Sequence, residues 1–431
     1  MRRAPISGRA LRLGRCTGGR SVAAWLPAPP PGLLESVAAV SRRLGSDPEF
    51  ARGGGGNTSA KAEGVVWIKP SGVSLAGLTP DALMPLAMEP LFAMLRGEGE
   101  AGEGTAGSDP VLRVGMAARL RPSDDRRPSV ECLFHALLPD PIVVHTHPTT
   151  VNALTCAAGG DEVAAELFGD EALWIPYTDP GLQLARRIAS GRAVFEARTG
   201  RPAPPVLLLG NHGLVVSGGS AEAVEERSRA VVAAVAERIG RLEAADGGGA
   251  GLSDAAATDV PGAGPPIEAV AAALAELLDE AARPRSVAFD GSPLARWIGS
   301  TGAGHAFLLG GPLTPDQIVY AGSWPLLVEA LPESADDMRA VLSRALVEHR
   351  GATGAAPSVV VVAGMGVFAV GDTPALARTA LDVELDAARI AIGARRLGGV
   401  RPLAPDERRF IEDWEAEAYR KGIAAGPAAE R

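Results

Sequence analysis

The chain has 431 residues, 46% hydrophobic and 22% charged, with a formal net charge of −9. That length predicts roughly two domains, and the balance is that of a globular chain. No apolar run reaches the roughly 18 residues of a bilayer span, which argues against a membrane partner, and the acidic balance argues against a nucleic-acid partner.

Residues 1–34 hold six arginines and no acid, so the remainder carries −15. This head lacks the apolar core of a secretory signal, and residues 1–32 are read as a disordered Arg-rich head. Residues 33–44 (LLESVAAVSRRL) space their apolar positions as a helix does, and so do residues 80–96, entered at Thr79-Pro80. Residues 97–109 (GEGEAGEGTAGSD) read as a surface loop. SVECLFHALL (129–138) predicts a helix with Ser129 as N-cap and Glu131 on its first turn. PIVVHTH (141–147) is a short apolar strand, and PVLLLGNHGLVVSGG (205–219) is strand, tight turn, strand. A long helix capped by Ser220 follows. Residues 244–265, rich in Gly, Ala and Pro, are read as a linker between a domain at 33–243 and a second at 266–431. Within the second domain, residues 358–397 imitate 205–242 at a constant offset. Gly366 and Gly371 stand for Gly213 and Gly218, and Met365 stands for His212. The second domain is therefore expected to be a degenerate copy of the first, catalytically silent.

Three cysteines, with no CxxC spacing, fit a reducing compartment and hence a cytoplasmic protein. Only three lysines accompany 39 arginines, and two of them, Lys61 and Lys69, fall close together. A compact ammonium there suits an anion.

The histidines carry the chemistry. His145 and His147 are two residues apart, so along a strand they point to one face. His212 sits in a GNHG turn. Three imidazoles with one open position form a catalytic zinc site, although other divalent metals accept the same donors. Glu131 admits two readings: a helix-dipole partner, or a general acid/base beside a metal. ARGGGGNTSAK (51–61) and WIKPSG (67–72) read either as plain loops or as an anion cradle of backbone N–H groups and polar side chains. Neither is a P-loop.

Together GGGGNTSAK, WIKPSG, RPSVE, VVHTHP, IPYTDPG and GNHG resemble the class II aldolase/adducin family, in that family's order. The nearest likeness is to the aldolase portion of bifunctional rhamnulose-1-phosphate aldolase/alcohol dehydrogenases, continuing through GPLTPDQ (311–317) and FIEDWEAEAYRKG (410–422). The resemblance implies a three-layer α/β/α sandwich around a mixed, mostly antiparallel sheet. It implies a Zn2+-dependent lyase that cleaves a C–C bond of a ketose or ketose 1-phosphate, working as a homo-oligomer. His145, His147 and His212 become the metal ligands and Glu131 the acid/base. Asn57, Ser71, Gly72 and Ser129 become phosphate-binding positions, with Lys61 and Lys69 beside them, and Tyr177 assists at the aldehyde end. Fuculose-phosphate aldolases carry two serines before the glutamate, whereas Val130 takes the second place here. The same site in the superfamily serves 3-oxo acid phosphate decarboxylases and pentulose-phosphate epimerases, the latter with Asp in place of Glu131. An adducin-like scaffold without chemistry is the alternative of another kind. No dinucleotide-binding glycine motif is present, and no NAD chemistry is expected.

Overall fold

The computed structural model describes residues 28–98, 109–245, 265–279 and 285–414. The Arg-rich head before residue 28, most of the 97–109 loop and nearly all of the proposed linker lie outside the described residues.

Two sheets organise the described residues. The first has seven strands: β1 (Asn57–Ala62), β2 (Val65–Ile68), β3 (Met84–Ala87), β4 (Ile142–Thr146), β5 (Leu173–Ile175), β6 (Val206–Leu209) and β7 (Gly213–Gly218). Their order is β3-β2-β1-β4-β7-β6-β5. All neighbours are antiparallel except β5 and β6. The sheet is buried on both faces, so each strand reads as an apolar run sorted by parity. Val66, Ile68, Val143, Leu207 and Val215 face one core with the helices Cys132–Leu137 and Leu182–Thr199. Val65, Trp67, Val144, Leu208 and Val216 face another core with the helices Leu33–Gly45 and Ala221–Ala245. This is the expected three-layer sandwich with a mixed, mostly antiparallel sheet.

Two local expectations change. Residues 80–96 are not one helix: a 3-10 turn Pro80–Ala82 leads into β3, and the helix is Met88–Leu95. Pro85 removes an N–H that a helix interior would need, and it is tolerated in an edge strand. Pairing with β2 there buries Met84 and Leu86. The second change concerns Glu131. Its helix is only Cys132–Leu137, and Glu131 occupies the N-cap position rather than the first turn. Pro128 is bridged to Pro70, and Ser129 Oγ accepts from the Glu131 N–H at 3.2 Å, so the preceding residues form a turn instead of a helix.

The second sheet has four strands: β8 (Ser286–Asp290), β9 (Leu326–Val328), β10 (Val359–Val362) and β11 (Gly366–Gly371), in the order β8-β11-β10-β9. It repeats β4-β7-β6-β5 of the first. β5, β6 and β7 reappear 153 positions later as β9, β10 and β11, with the same parallel and antiparallel pairings. Val215 pairs with His145, and its counterpart Phe368 pairs with Phe289. The positions of His145, His147 and His212 are thus held by Phe289, Gly291 and Met365, none of which offers an imidazole. The sequence imitation therefore extends to topology and register.

The halves share a core. Ala394 and Leu397, from the end of the Pro374–Arg396 helix, join the first domain's cluster, while Cys156 joins the second's. Asn211, at a left-handed φ of 51°, ties them by hydrogen bonds. Its Nδ2 donates to Leu313 O at 2.9 Å and Arg401 O at 2.7 Å, and Arg401 donates to its Oδ1. Alanine would lose these bonds and resist that φ. We expect Asn211→Ala to lower stability by roughly 2–4 kcal/mol, read in equilibrium urea unfolding.

Candidate metal centre

His145 is the fourth residue of β4 and points toward the start of the Cys132–Leu137 helix, where it meets Phe134 edge-on at 5.8 Å. His147 lies just past the strand end, its N–H donating to Phe50 O at 2.9 Å. His212 closes the turn between β6 and β7. The three side chains converge: His145 Nε2 is 3.0 Å from His147 Nε2 and 3.3 Å from His212 Nε2. A metal with roughly 2.0–2.1 Å bonds in a tetrahedron would set its ligand nitrogens about 3.3 Å apart.

The hydrogen bonds behind the rings decide what sits between them. His145 Nδ1 is 3.0 Å from Leu214 O, so it must donate, and His147 Nδ1 donates to Asp316 Oδ2 at 2.5 Å. The neutral His145 ring is then left with a lone pair at Nε2, and His147 Nε2 faces it. Burial, reinforced by His147 and His212, holds the pKa of His145 well below 6.5 and keeps that ring neutral. Three Nε2 atoms converging at metal-ligand spacing, with the Nδ1 atoms of two of the rings turned to oxygen acceptors, form a donor set that fits a divalent metal.

Backbone shape makes this convergence possible. A Cβ on Gly213 would come within 2.5 Å of Thr146 O and 2.9 Å of the His147 ring. Gly56, at φ 75°, passes so close that a Cβ would lie 2.7 Å from His145 O. The Gly-rich loop is therefore needed for close approach to the ligands, a reason separate from anion binding.

Glu131 stands over the cluster, its Oε2 3.7 Å from His145 Nε2 and its Oε1 3.6 Å from His212 Nε2. Asn57 Nδ2 donates to Oε2 and fixes the carboxylate. Glu131, His147 and His212 line a pocket together with Asn57, Lys69, Ser71, Gly72 and Ser129. The last group is knitted from two motifs: Ser71 N donates to Arg127 O at 2.9 Å and Ser71 Oγ to Pro128 O at 3.3 Å. Lys69 is buried, with Nζ donating to Val73 O at 2.6 Å.

Two expected residues are not in the lining of this pocket. Lys61 is at the far end of β1, where Nζ donates to His135 O at 2.6 Å and burial lowers its pKa to about 7. Four residues of strand separate it from Asn57, on the order of 13 Å. Tyr177 packs against the second domain's core with the Arg401 guanidinium 5.9 Å from its ring centroid, and burial and Asp179 raise its phenol pKa. Conversely, Pro315, Asp316 and Trp414 line the pocket from the second half. The expectation of a silent second domain overlooked them. GPLTPDQ was visible as a motif, but no spacing rule connects Asp316 to a histidine 169 positions away.

A family model described as the class II aldolase and adducin N-terminal domain matches residues 35–237, and one described as aldolase class II, second domain, matches 267–420. The chain belongs to the class II aldolase and adducin family. A Bacillus subtilis (strain 168) protein described as uncharacterized oxidoreductase YuxG is 25% identical over 426 residues, 91% of this chain. The chain spans 58% of that protein's length. Among solved structures, the N-terminal class II aldolase domain of a Thermoplasma acidophilum protein is 24% identical, with a TM-score of 0.41, covering 51% of this chain and all of that one. The L-fuculose-1-phosphate aldolase of Thermus thermophilus is 18% identical, with a TM-score of 0.34, covering 51% of this chain and 99% of that one. YgbL of Klebsiella pneumoniae, whose description offers aldolase, epimerase and decarboxylase as alternatives, is 23% identical, with a TM-score of 0.32, covering 47% of this chain and 86% of that one.

Under the sheet near this site, His135 is fully buried with Nδ1 2.8 Å from Ser59 Oγ. Burial, then the charges of Lys61 and Lys69, push its pKa well below 6.5. The unfolded chain therefore binds a proton that the native state refuses, and stability falls as pH drops below about 6.5. One such group contributes a slope of about 1.4 kcal/mol per pH unit. His135→Gln is expected to flatten the stability–pH curve between about pH 5 and 6.5 by that amount, measured by urea unfolding at each pH.

Proposed function

We propose that this protein is a divalent-metal-dependent lyase of the class II aldolase type, acting on a ketose, in particular a ketose 1-phosphate. The observation that carries this reading is the convergence of three Nε2 atoms with a carboxylate held 3.6–3.7 Å from two of them. His145, His147 and His212 would hold the metal, and Zn2+ suits three neutral nitrogens. When bound, the metal supplies Lewis acidity that favours negative charge on a substrate carbonyl oxygen.

The chain's own groups do the rest. Asn57 holds Glu131 in one rotamer by its Nδ2–H bond. As the C–C bond breaks, the hydroxyl on the departing carbon gives up its proton, which returns through solvent to Glu131, and becomes the aldehyde carbonyl, while the bonding electron pair remains on the carbon next to the ketone carbonyl. Glu131 delivers a proton to that carbon, and in the reverse direction removes it. Lys69 with Ser71, Gly72 and Ser129 forms the polar wall that would take the phosphate, holding the reacting carbons in register. Val130 in place of a second serine removes one hydroxyl from that wall. Tyr177, packed against the second half, is given no step, and Lys61 is too far from the pocket to be given one. Free, buried Cys132 and Cys156 accord with a cytoplasmic enzyme, which we propose works as a homo-oligomer. Among the described residues no helix is long and apolar enough to cross a membrane.

Assays with ketose 1-phosphates, their unphosphorylated forms and 3-oxo acid phosphates separate the readings. Release of an aldehyde supports the aldolase, release of CO2 a decarboxylase, and neither, from a metal-free protein, a scaffold. Chelation is expected to abolish turnover and Zn2+ to restore it. Glu131→Gln is expected to lower kcat by roughly 10²–10⁴-fold while the metal stays bound, as elemental analysis would show. Lys69→Met is expected to raise KM for phosphorylated substrates more than for unphosphorylated ones.

A further inference from the structure

We propose that Asp316, contributed by the second half of the chain, is a positioning residue that fixes His147 for metal binding, so that the metal site is complete only when the two halves are docked. The inference rests on the metal-site reading above.

The two outer partners of the histidine cluster differ in kind. His145 is fixed by a backbone carbonyl of its own sheet, Leu214 O. His147 is fixed by a side chain from 169 positions away, Asp316 Oδ2 at 2.5 Å. Both members of that pair are about one-tenth exposed, at 10% and 11%, so water does not substitute easily for either. A carboxylate behind an imidazole N–H selects the tautomer, stops the ring from turning and makes the other nitrogen a stronger donor.

Asp316 itself is rigidly mounted. It precedes a π-helical turn, Gln317–Ala321, and Gln317 is held twice. Gln317 Oε1 accepts from Leu313 N at 2.8 Å, and its Nε2 donates to the buried Glu384 at 3.2 Å. Leu313 O in turn accepts from Asn211, the neighbour of the ligand His212. The Gly-rich loop closes over the other side. A Cβ on Gly55 would lie 2.7 Å from Asp316 Oδ2 and 3.2 Å from His147 Nδ1. That loop is clamped to the second half by Arg52 on Asp386 at 2.6 Å and by Gly54 N on the Tyr320 hydroxyl at 2.9 Å. The second sheet offers no imidazole at the equivalent positions, yet its flanking segment serves the first sheet's histidines.

The test uses the full chain. Wild type, Asp316→Ala, Asp316→Asn and Asp316→Glu are stripped of metal, then titrated with Zn2+ and with Co2+ against a chromophoric chelator. His212→Ala serves as the ligand-loss control. We expect Asp316→Ala to weaken metal binding roughly 10–100-fold and to alter the visible Co2+ spectrum. Asp316→Asn should weaken it less, and Asp316→Glu should restore most of the affinity. The thermal midpoint of the metal-free protein should stay close to wild type in the Asn and Glu variants. Wild-type affinity in both Asp316→Ala and Asp316→Asn would overturn the inference while leaving the three-histidine site standing. So would losses that track metal-free instability and are not rescued by Glu. If wild type and His212→Ala bind metal equally poorly, the metal-site reading itself fails, and this inference with it.

Discussion

The Nε2 atoms of His145 and His147 lie 3.0 Å apart, and that of His212 lies 3.3 Å from the first. The site depends on that convergence. Everything around it is built to enforce it. Leu214 O and Asp316 take up the outer N–H groups, Gly56 and Gly213 let the backbone crowd in, and burial denies His145 a proton. A divalent cation at the centre would be within reach of all three nitrogens.

The sandwich supplies the geometry in a simple way. β4 lies in the middle of the seven-stranded sheet, flanked by β1 and β7. Asn57 is the register partner of His145 on one side and Val215 on the other. Asn57 thereby reaches Glu131 at the end of the overlying turn, and His212 arrives from the hairpin next door. A central strand is the least mobile part of such a sheet, so ligand positions inherit the stiffness of the core. The pocket wall, by contrast, is made of turns and of segments from the second half. Trp414 is pinned there by Asp109, whose other oxygen caps the Pro110–Ala117 helix.

Much of this was legible in the sequence, for identifiable reasons. The short period of a strand makes HxH a same-face pair, and a turn residue flanked by glycines announces its own exposure to a site. The strand–turn–strand–helix imitation at 358–397 could be read because glycines at required turn positions are retained when side chains drift. Glu131 was found but misplaced by one structural step, since Ser129 caps a turn rather than a helix. Residues 80–96 resemble a single helix because Leu83, Leu86, Ala87, Leu91 and Met94 keep a helical spacing, whereas Pro85 fits the edge strand and Pro90 the first turn of the helix that follows. Lys61 is close to Lys69 in sequence, yet it lies at the far end of its strand from Asn57. Asp316 was out of reach altogether: long-range pairing of one carboxylate with one imidazole leaves no periodic trace.

The central claim is that the three Nε2 atoms hold one divalent metal ion. Anomalous diffraction from crystals of the purified protein, collected above and below the zinc absorption edge, addresses it directly. The account predicts a single strong peak per chain, roughly 2.0–2.1 Å from Nε2 of His145, His147 and His212. An ordered water with no anomalous signal at that point, in protein purified with zinc present, would contradict it.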